Sequence, residues 1–311
     1  VKRIFGPVPS RRLGRSLGID VIPYKTCTFD CVYCECGGTT DKTCTRREFY
    51  ELDDILDELE NRLAEMPEKP DIVTLSGAGE PTLYLRTGEL IESIKRTCEL
   101  PVAVITNSSL LARRDVRDEL LPADVVLPSL DAASDSVFQR INRPHEDCML
   151  EAIIDGLERF TSRFEGTVLL EILLVEGFNT DEKDLLALRE ALERMRIDSI
   201  QLNTAVRPGT EKEIAPLDRK SLEAVRGFFG SRCEIVADTV VSASREDQAA
   251  EEKIISLLKR RPCTAEDIHR SLGIPLPGVV KILTILSRDG SIIMETKGRK
   301  AFYTAANRDS S

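Results

Sequence analysis

The chain has 311 residues, 41 % hydrophobic and 31 % charged, a composition that excludes general disorder and leaves room for one large α/β domain with a small second one. Its net charge of −10 excludes a surface that is a nucleic-acid platform throughout, because phosphate binding needs clustered Lys and Arg. No apolar run approaches the ~18 residues of a membrane span, and the opening residues lack the apolar core of a signal peptide, so a cytoplasmic location without membrane partners is expected.

The opening carries Arg11, Arg12 and Arg15 in "SRRLGRS". Their planar guanidinium groups could grip a phosphate or carboxylate, or form a solvated basic stretch. Six short, apolar, β-branched runs then read as buried parallel strands: residues 16–23, 71–77, 101–107, 124–130, 167–174 and 198–203. Between them, residues 51–66, 87–100, 146–160 and 181–195 place apolar side chains three and four apart, as crossover helices require. The expected fold class is α/β, a partial (β/α)6 parallel barrel of TIM type over residues 1–240, with a flat doubly wound sheet as the rival that periodicity does not separate from it. Residues 241–250 ("VSASREDQAA") read as a linker.

Residues 251–311 then restart as helices over 251–261, 264–273 and 275–290, followed by a hairpin over 291–305 turning near Lys297 and Gly298. Three helices and a two-stranded wing describe a C-terminal winged helix-turn-helix domain. From Glu251 to Asp309 there are 11 Lys and Arg against 7 Asp and Glu. This balance of +4 makes the domain the better polyanion surface of the two.

Four of the nine cysteines crowd between Cys27 and Cys36, which suits metal ligation in a reducing compartment better than a disulfide framework. Cys27, Cys31 and Cys34 in "CTFDCVYC" follow the first strand, at the end where βα barrels place their chemistry. Three thiolates can hold three iron corners of a 4Fe-4S cluster and leave the fourth open. A zinc site completed by Cys36 or Cys44 is the alternative. Cys98, Cys148, Cys233 and Cys263 fall in predicted helices or strands and read as core residues, and Lys25 as a surface charge. Glu171, inside an apolar strand, needs the polar barrel mouth to offset its burial. At other strand ends, Ser129 and Asp131 either face a ligand or cap the next helix. Asn203 ends the sixth strand, facing a ligand or making a structural hydrogen bond, with Arg207 on the loop beyond.

The cysteine spacing, with the aromatic Tyr33 just before the last ligand, resembles the cluster motif of the radical S-adenosylmethionine superfamily. The resemblance implies a 4Fe-4S cluster on Cys27, Cys31 and Cys34 with S-adenosylmethionine bound at the fourth iron. One electron from the cluster would then yield a 5'-deoxyadenosyl radical that abstracts hydrogen. It also implies a reductant protein such as ferredoxin or flavodoxin. "LSGAGEPTL" looks like the family's glycine and glutamate segment after its second strand. There Gly77 and Gly79 would let backbone approach the ligand, and Glu80 would receive the methionine ammonium. Asn107 and Ser108 in "ITNSSLL" resemble the position where relatives touch the ribose, with capping of the next helix as the alternative. Stretches such as "SLDAASDSVFQRINRPH" and "LLVEGFN" are similar to the group of the wyosine-forming tRNA enzymes, over about residues 5–215.

The function expected on this basis is an enzyme acting on a large nucleic-acid or protein substrate held through the winged helix. The alternative is a redox-sensing, DNA-binding iron-sulfur regulator. A third reading is an activase that installs a glycyl radical in a partner.

Overall fold

Alternating β-branched runs and amphipathic stretches become a single layered α/β unit. The structure, a computed structural model, describes residues 3–10, 12–206, 209–211, 214–237, 245–259, 261–272, 274, 279, 282–283, 286–287, 291–297 and 300–306. The chain divides into two compact units, Val1–Thr239 and Val240–Ser311.

In the first unit, β1 (Ile4–Ser10), β2 (Gly14–Ile19), β3 (Ile72–Leu75), β4 (Val102–Thr106), β5 (Val125–Pro128), β6 (Thr167–Leu174), β7 (Ser199–Thr204) and β8 (Cys233–Ile235) lie side by side in that order. Only the β1–β2 pair is antiparallel. This order separates the two sheets that periodicity allows. A doubly wound sheet reverses its strand order partway and so puts helices on both faces. Here the order never reverses, and crossovers of one hand keep every helix on the same face.

The crossover helices are α1 (Leu52–Ala64), α2 (Thr87–Cys98), α3 (Arg114–Leu120), α4 (Asp135–Ile141), α5 (Leu150–Arg163), α6 (Glu182–Glu193) and α7 (Arg219–Phe229). They bury residues at helical spacing, such as Leu52, Ile55 and Leu59 of α1 or Ile153, Leu157 and Phe160 of α5, in the main core.

The opposite face of the sheet is read from β6, whose burial alternates strictly. Val168, Leu170, Ile172 and Leu174 face the helices, so Leu169, Glu171 and Leu173 face the other way. Leu169 joins a small apolar plug with Ile72, Ala103, Leu127 and Leu13. On the same face Arg12, from the β1–β2 turn, reaches Glu171 of β6 at 2.5 Å and Gln201 of β7 at 3.1 Å. A side chain from one end of the sheet touching strands near the other end requires a curved sheet. Asn107, Ser129, Leu173 and Asn203 come next on this face by strand register, at the carboxyl ends of β4 to β7.

Several expectations are corrected. β1 and β8, at the two edges, and the short helices α3 and α4 carry too few periodic residues to show in sequence, and α7 was not read either. The strand expected over 16–23 stops at Ile19, because the Asp20 carboxylate accepts from Ile22 N at 3.2 Å and Ala78 N at 3.1 Å and turns the chain. The helix expected over 146–160 begins only at Leu150, so Cys148 lies on the preceding turn.

In the second unit, residues 245–250 of the expected linker belong to α8 (Arg245–Leu258), as their helix-forming Glu, Gln and Ala favour. α9 (Ala265–Leu272) starts from Thr264, which exchanges hydrogen bonds with Asp267. β9 (Ile292–Lys297) and β10 (Lys300–Ala305) form an antiparallel pair. Most of the helix expected over 275–290 and the turn residue Gly298 lie outside the described residues, although Val279, Ile282, Leu283 and Leu286 are buried with Ile254 and Ile268.

Arg46 ties the segment after the cysteine loop to the helical layer. Its side chain, 3 % exposed, donates to Thr82 O and Tyr84 O at 2.9 Å each and pairs with Asp115 and Glu119. Arg46→Ala takes a donor from Thr82 O and from the partly solvated Glu119 carboxylate, while Tyr84 O keeps Thr87 Oγ1 and Asp115 keeps Arg113. It should lower stability by about 2–3 kcal/mol, read as a fall in the urea midpoint, with Arg46→Lys recovering less than half because it lacks the planar fork.

Candidate metal centre

Cys27, Cys31 and Cys34 sit on a loop that closes on itself. Thr26–Cys27 pairs in parallel with Asp41–Lys42, so the intervening residues form a lasso beyond the end of β2. Inside it Thr39 N donates to Asp30 Oδ1 at 2.7 Å, Cys34 N to Cys31 O at 3.1 Å and Gly37 N to Cys34 O at 3.0 Å. Outside it, Val32 N donates to Ile141 O at 3.0 Å and Glu211 N to Val32 O at 3.0 Å, which hold the loop between α4 and the chain after β7.

Each of the three thiols has a donor aimed at its sulfur. Asn107 Nδ2 lies 3.5 Å from Cys27 Sγ, Asn142 Nδ2 3.5 Å from Cys31 Sγ, and Lys25 Nζ 3.2 Å from Cys34 Sγ. Burial pushes the Cys27 thiol up to about 12 and raises that of Cys31 as well, whereas a hydrogen bond from Cys36, aided by Lys25, lowers Cys34 to about 5. Two buried sulfurs that resist ionisation alone, ringed by donors that favour thiolate, suit a cation that supplies the missing charge.

Lys25 corrects the expected surface charge. It is 2 % exposed, takes left-handed backbone at φ +61° and turns its ammonium into the loop. In the arginine-rich opening the carboxylates gripped belong to the chain itself, Arg12 engaging Glu171 and Arg15 the exposed Glu68, each at 2.5 Å. Glu171 thus has a cationic partner on the concave face. Arg11 and Arg207 lie outside the described residues.

The second-strand segment packs against the lasso. A Cβ on Gly77 would stand 2.0 Å from Asp20 Oδ1, and one on Gly79 would stand 2.1 Å from Thr26 O. Both glycines therefore admit the chain itself, which is a structural reason for them separate from any ligand. Glu80, 1 % exposed, accepts from Thr82 N and Oγ1 at 3.0 and 2.6 Å and from Thr106 Oγ1 at 2.7 Å on Oε1, and from Asn107 N at 2.7 Å on Oε2. Oε2 retains accepting capacity. Burial raises the Glu80 pKa against these hydrogen bonds.

Asn107, Ser129 and Tyr33 line one cleft with Phe29, Asp131 and Asn142. Ser108 is corrected: fully buried at φ +70°, it donates its hydroxyl to Ser129 O at 2.7 Å and neither caps a helix nor faces the cleft. Asn203 lies apart from that cleft, and its Oδ1 accepts from Thr204 N at 2.9 Å. A larger concavity of about 640 Å³ between β1 and α1, lined by Arg3, Asp54 and Glu58, contains no cysteine.

Asp131 joins the parts. It accepts from the Tyr33 hydroxyl, from Asn142 Nδ2 at 2.8 Å and from Leu173 N at 2.8 Å. Asn142 carries no signal in the sequence, because its neighbours Cys31, Tyr33 and Asp131 lie 111, 109 and 11 residues away and no spacing rule marks it.

A predominantly parallel sheet carrying a three-cysteine loop at the carboxyl ends of its strands defines a class of iron-sulfur enzyme. The chain belongs to the Radical SAM superfamily, whose family model matches residues 21–189. A UPF0026 protein of Methanocaldococcus jannaschii is 41 % identical over 308 residues, covering 96 % of this chain and 94 % of that protein. A protein of Brachyspira hyodysenteriae named GTPase Obg is 36 % identical over 296 residues, covering 94 % of this chain; the chain spans only 43 % of its length. Among solved structures, a radical SAM methyltransferase from Sphaerobacter thermophilus shares the fold with a TM-score of 0.57 at 14 % identity, covering 71 % of this chain and 66 % of that one. The cofactors of this radical SAM enzyme are a 4Fe-4S cluster and S-adenosylmethionine. Among the described residues no helix is long and apolar enough to cross a membrane.

The buried Asp131 has a pH consequence. Burial raises its pKa from 3.8 to about 6, against the hydrogen bonds from Tyr33, Leu173 and Asn142. A carboxyl whose folded pKa exceeds its unfolded one stabilises the fold fully below the unfolded value, and that contribution is lost as pH rises through the folded one. Stability should therefore fall by about 2–3 kcal/mol between about pH 4 and pH 6 from this group. In urea midpoints measured against pH, Asp131→Asn should flatten that slope, although its absolute stability is lower.

Proposed function

We propose that Cys27, Cys31 and Cys34 hold the 4Fe-4S cluster, and that the chain reductively cleaves S-adenosylmethionine to modify a large substrate, a tRNA. The observation that carries this reading is the gathering of three thiols on one lasso, each facing a hydrogen-bond donor, beside the carboxyl ends of a curved parallel sheet. When bound, the cluster supplies the electron that splits the sulfonium and releases a 5'-deoxyadenosyl radical.

The protein's part is to hold and orient. Glu80 receives the methionine ammonium on Oε2, the atom with accepting capacity left. Tyr33, Asn107 and Ser129 line a narrow cleft of about 10 Å³ and border the adenosine portion rather than enclose it, and Asn203 lies further along the same face. Gly77 and Gly79 bring the Glu80 segment against the lasso, and Ser108 holds the end of β5 in place.

We read residues 1–240 as a partial (β/α)6 barrel, supported by the curved parallel sheet, and residues 251–311 as a winged helix-turn-helix, supported by α8, α9 and the β9–β10 pair. That second unit carries the excess positive charge that a tRNA would meet. The wyosine-like stretches support the choice of tRNA. A ferredoxin or flavodoxin in the cytoplasm would deliver the electron.

Anaerobic reconstitution with iron and sulfide, then dithionite and S-adenosylmethionine, should yield 5'-deoxyadenosine on chromatography, with more formed when bulk tRNA is added. Cys31→Ala should abolish both product and cluster absorbance; a full cluster signal in that variant would refute the ligand assignment. Lys25→Met should keep the cluster but shift its midpoint potential negative, on the order of 50 mV or about 1 kcal/mol, in an EPR-monitored titration, because a cation beside a thiolate favours the reduced, more negative state.

A further inference from the structure

Two cysteines that the cluster does not use meet across the base of the lasso. Cys44, on the loop just after the Asp41–Lys42 pairing, has its Sγ 3.3 Å from Cys148 Sγ, with 104 residues of sequence separation and no disulfide between them. Cys148 belongs to a turn that opens at His145, whose carbonyl accepts from Cys148 N at 2.9 Å. The turn thereby carries a His-x-x-Cys spacing, and Asp147 lies within it. One ligand atom from each of Cys44, His145 and Asp147 lies within 4.8 Å of the other two, and Cys148 stands outside that trio, touching it through Cys44.

We propose that Cys44, His145, Asp147 and Cys148 form a second metal site that binds one zinc ion. Two thiolates, an imidazole and a carboxylate match the donors zinc takes in closed tetrahedral sites. With zinc–sulfur bonds of about 2.3 Å, a tetrahedron sets its two sulfurs about 3.8 Å apart, so the sulfur pair itself needs only about half an ångström of adjustment, and the Cys148 thiol must also turn toward His145 and Asp147 to share the ion. A second 4Fe-4S cluster fits less well, because it is held by cysteines at three or four corners and only two are present here.

The two segments are already registered against each other. His145 N donates to Thr28 O at 2.8 Å, Thr43 N donates to Cys27 O at 3.0 Å, and Phe29 forms a bridge with Pro144. Lys42 Nζ reaches Arg143 O at 3.2 Å and Pro144 O at 3.3 Å. Zinc at this point would staple the lasso that bears Cys27 and Cys31 to the segment that delivers Asn142 to Cys31. Its role is structural, and it stands independently of the tRNA reading. Asp147 is exposed, which leaves the ion a route in from solvent.

The test uses the full chain with its cluster reconstituted, given one equivalent of zinc chloride anaerobically and then desalted. Elemental analysis should find about one zinc per chain beside the iron. Absorption at the zinc K edge, which iron does not disturb, should show two sulfurs at about 2.3 Å and two nitrogen or oxygen ligands at about 2.0–2.1 Å. The Cys44→Ser/Cys148→Ser double variant should lose at least nine-tenths of the zinc and keep its iron. The Cys27→Ala/Cys31→Ala/Cys34→Ala triple variant should lose iron and keep zinc. If the double variant does not fold, His145→Gln serves instead and should release zinc to a chelator at least tenfold more readily than the parent chain. Failure to retain zinc, zinc that survives in the double variant, zinc lost with the triple variant, or a Cys44–Cys148 disulfide in anaerobically isolated protein would each overturn the proposal.

Discussion

A single buried carboxylate, Asp131, joins the elements on which the centre depends. It accepts from Tyr33 on the cysteine lasso, from Asn142 at the end of α4 and from the backbone of Leu173 in β6. Asn142 in turn faces Cys31, so the loop, a helix end and two strand ends share one hydrogen-bond network. Such a network is stable only when every member is satisfied, and here three donors offset part of the desolvation of Asp131. Its carbonyl is also occupied, accepting from Asn179 Nδ2 at 2.9 Å.

The sheet explains why this network has somewhere to form. Strands added in one direction, with crossovers of one hand, put the helices on one face and leave the other concave. The concave face is filled in layers: an apolar plug around Leu13 and Leu169, then the Arg12–Glu171–Gln201 group, then the residues at the strand ends. Apolar packing at one end and polar groups at the other let the cysteines stand where donors and a cofactor can reach them. Gly77 and Gly79 set the distance between that rim and the lasso, since any side chain there would strike Asp20 or Thr26.

The parallel strands and the cysteine loop were legible because their signals are local. A β-branched run or a Cys-x3-Cys-x2-Cys spacing is contained in a few residues, and burial on both faces leaves a strand no polar alternation to obscure it. Residues whose role depends on distant partners were misread or missed. Lys25 reads as a surface charge until its left-handed backbone turns it toward Cys34, and Asn142 carries no motif at all. Cys44 reads as a possible fourth ligand of the first loop and Cys148 as a core residue, yet the fold sets their sulfurs 3.3 Å apart.

Sequence alone determined the α/β class, the order of the six central strands along the chain and the crowding of three cysteines on one loop, because periodicity and residue spacing are properties of neighbouring residues. Tertiary structure decided the curvature of the sheet, the side on which the helices lie, the pairing of Arg12 with Glu171 and the donors around each sulfur. Apart from Lys25, nine residues before Cys34, those are contacts between segments tens to more than a hundred residues apart, and only the folded chain brings them within hydrogen-bonding distance.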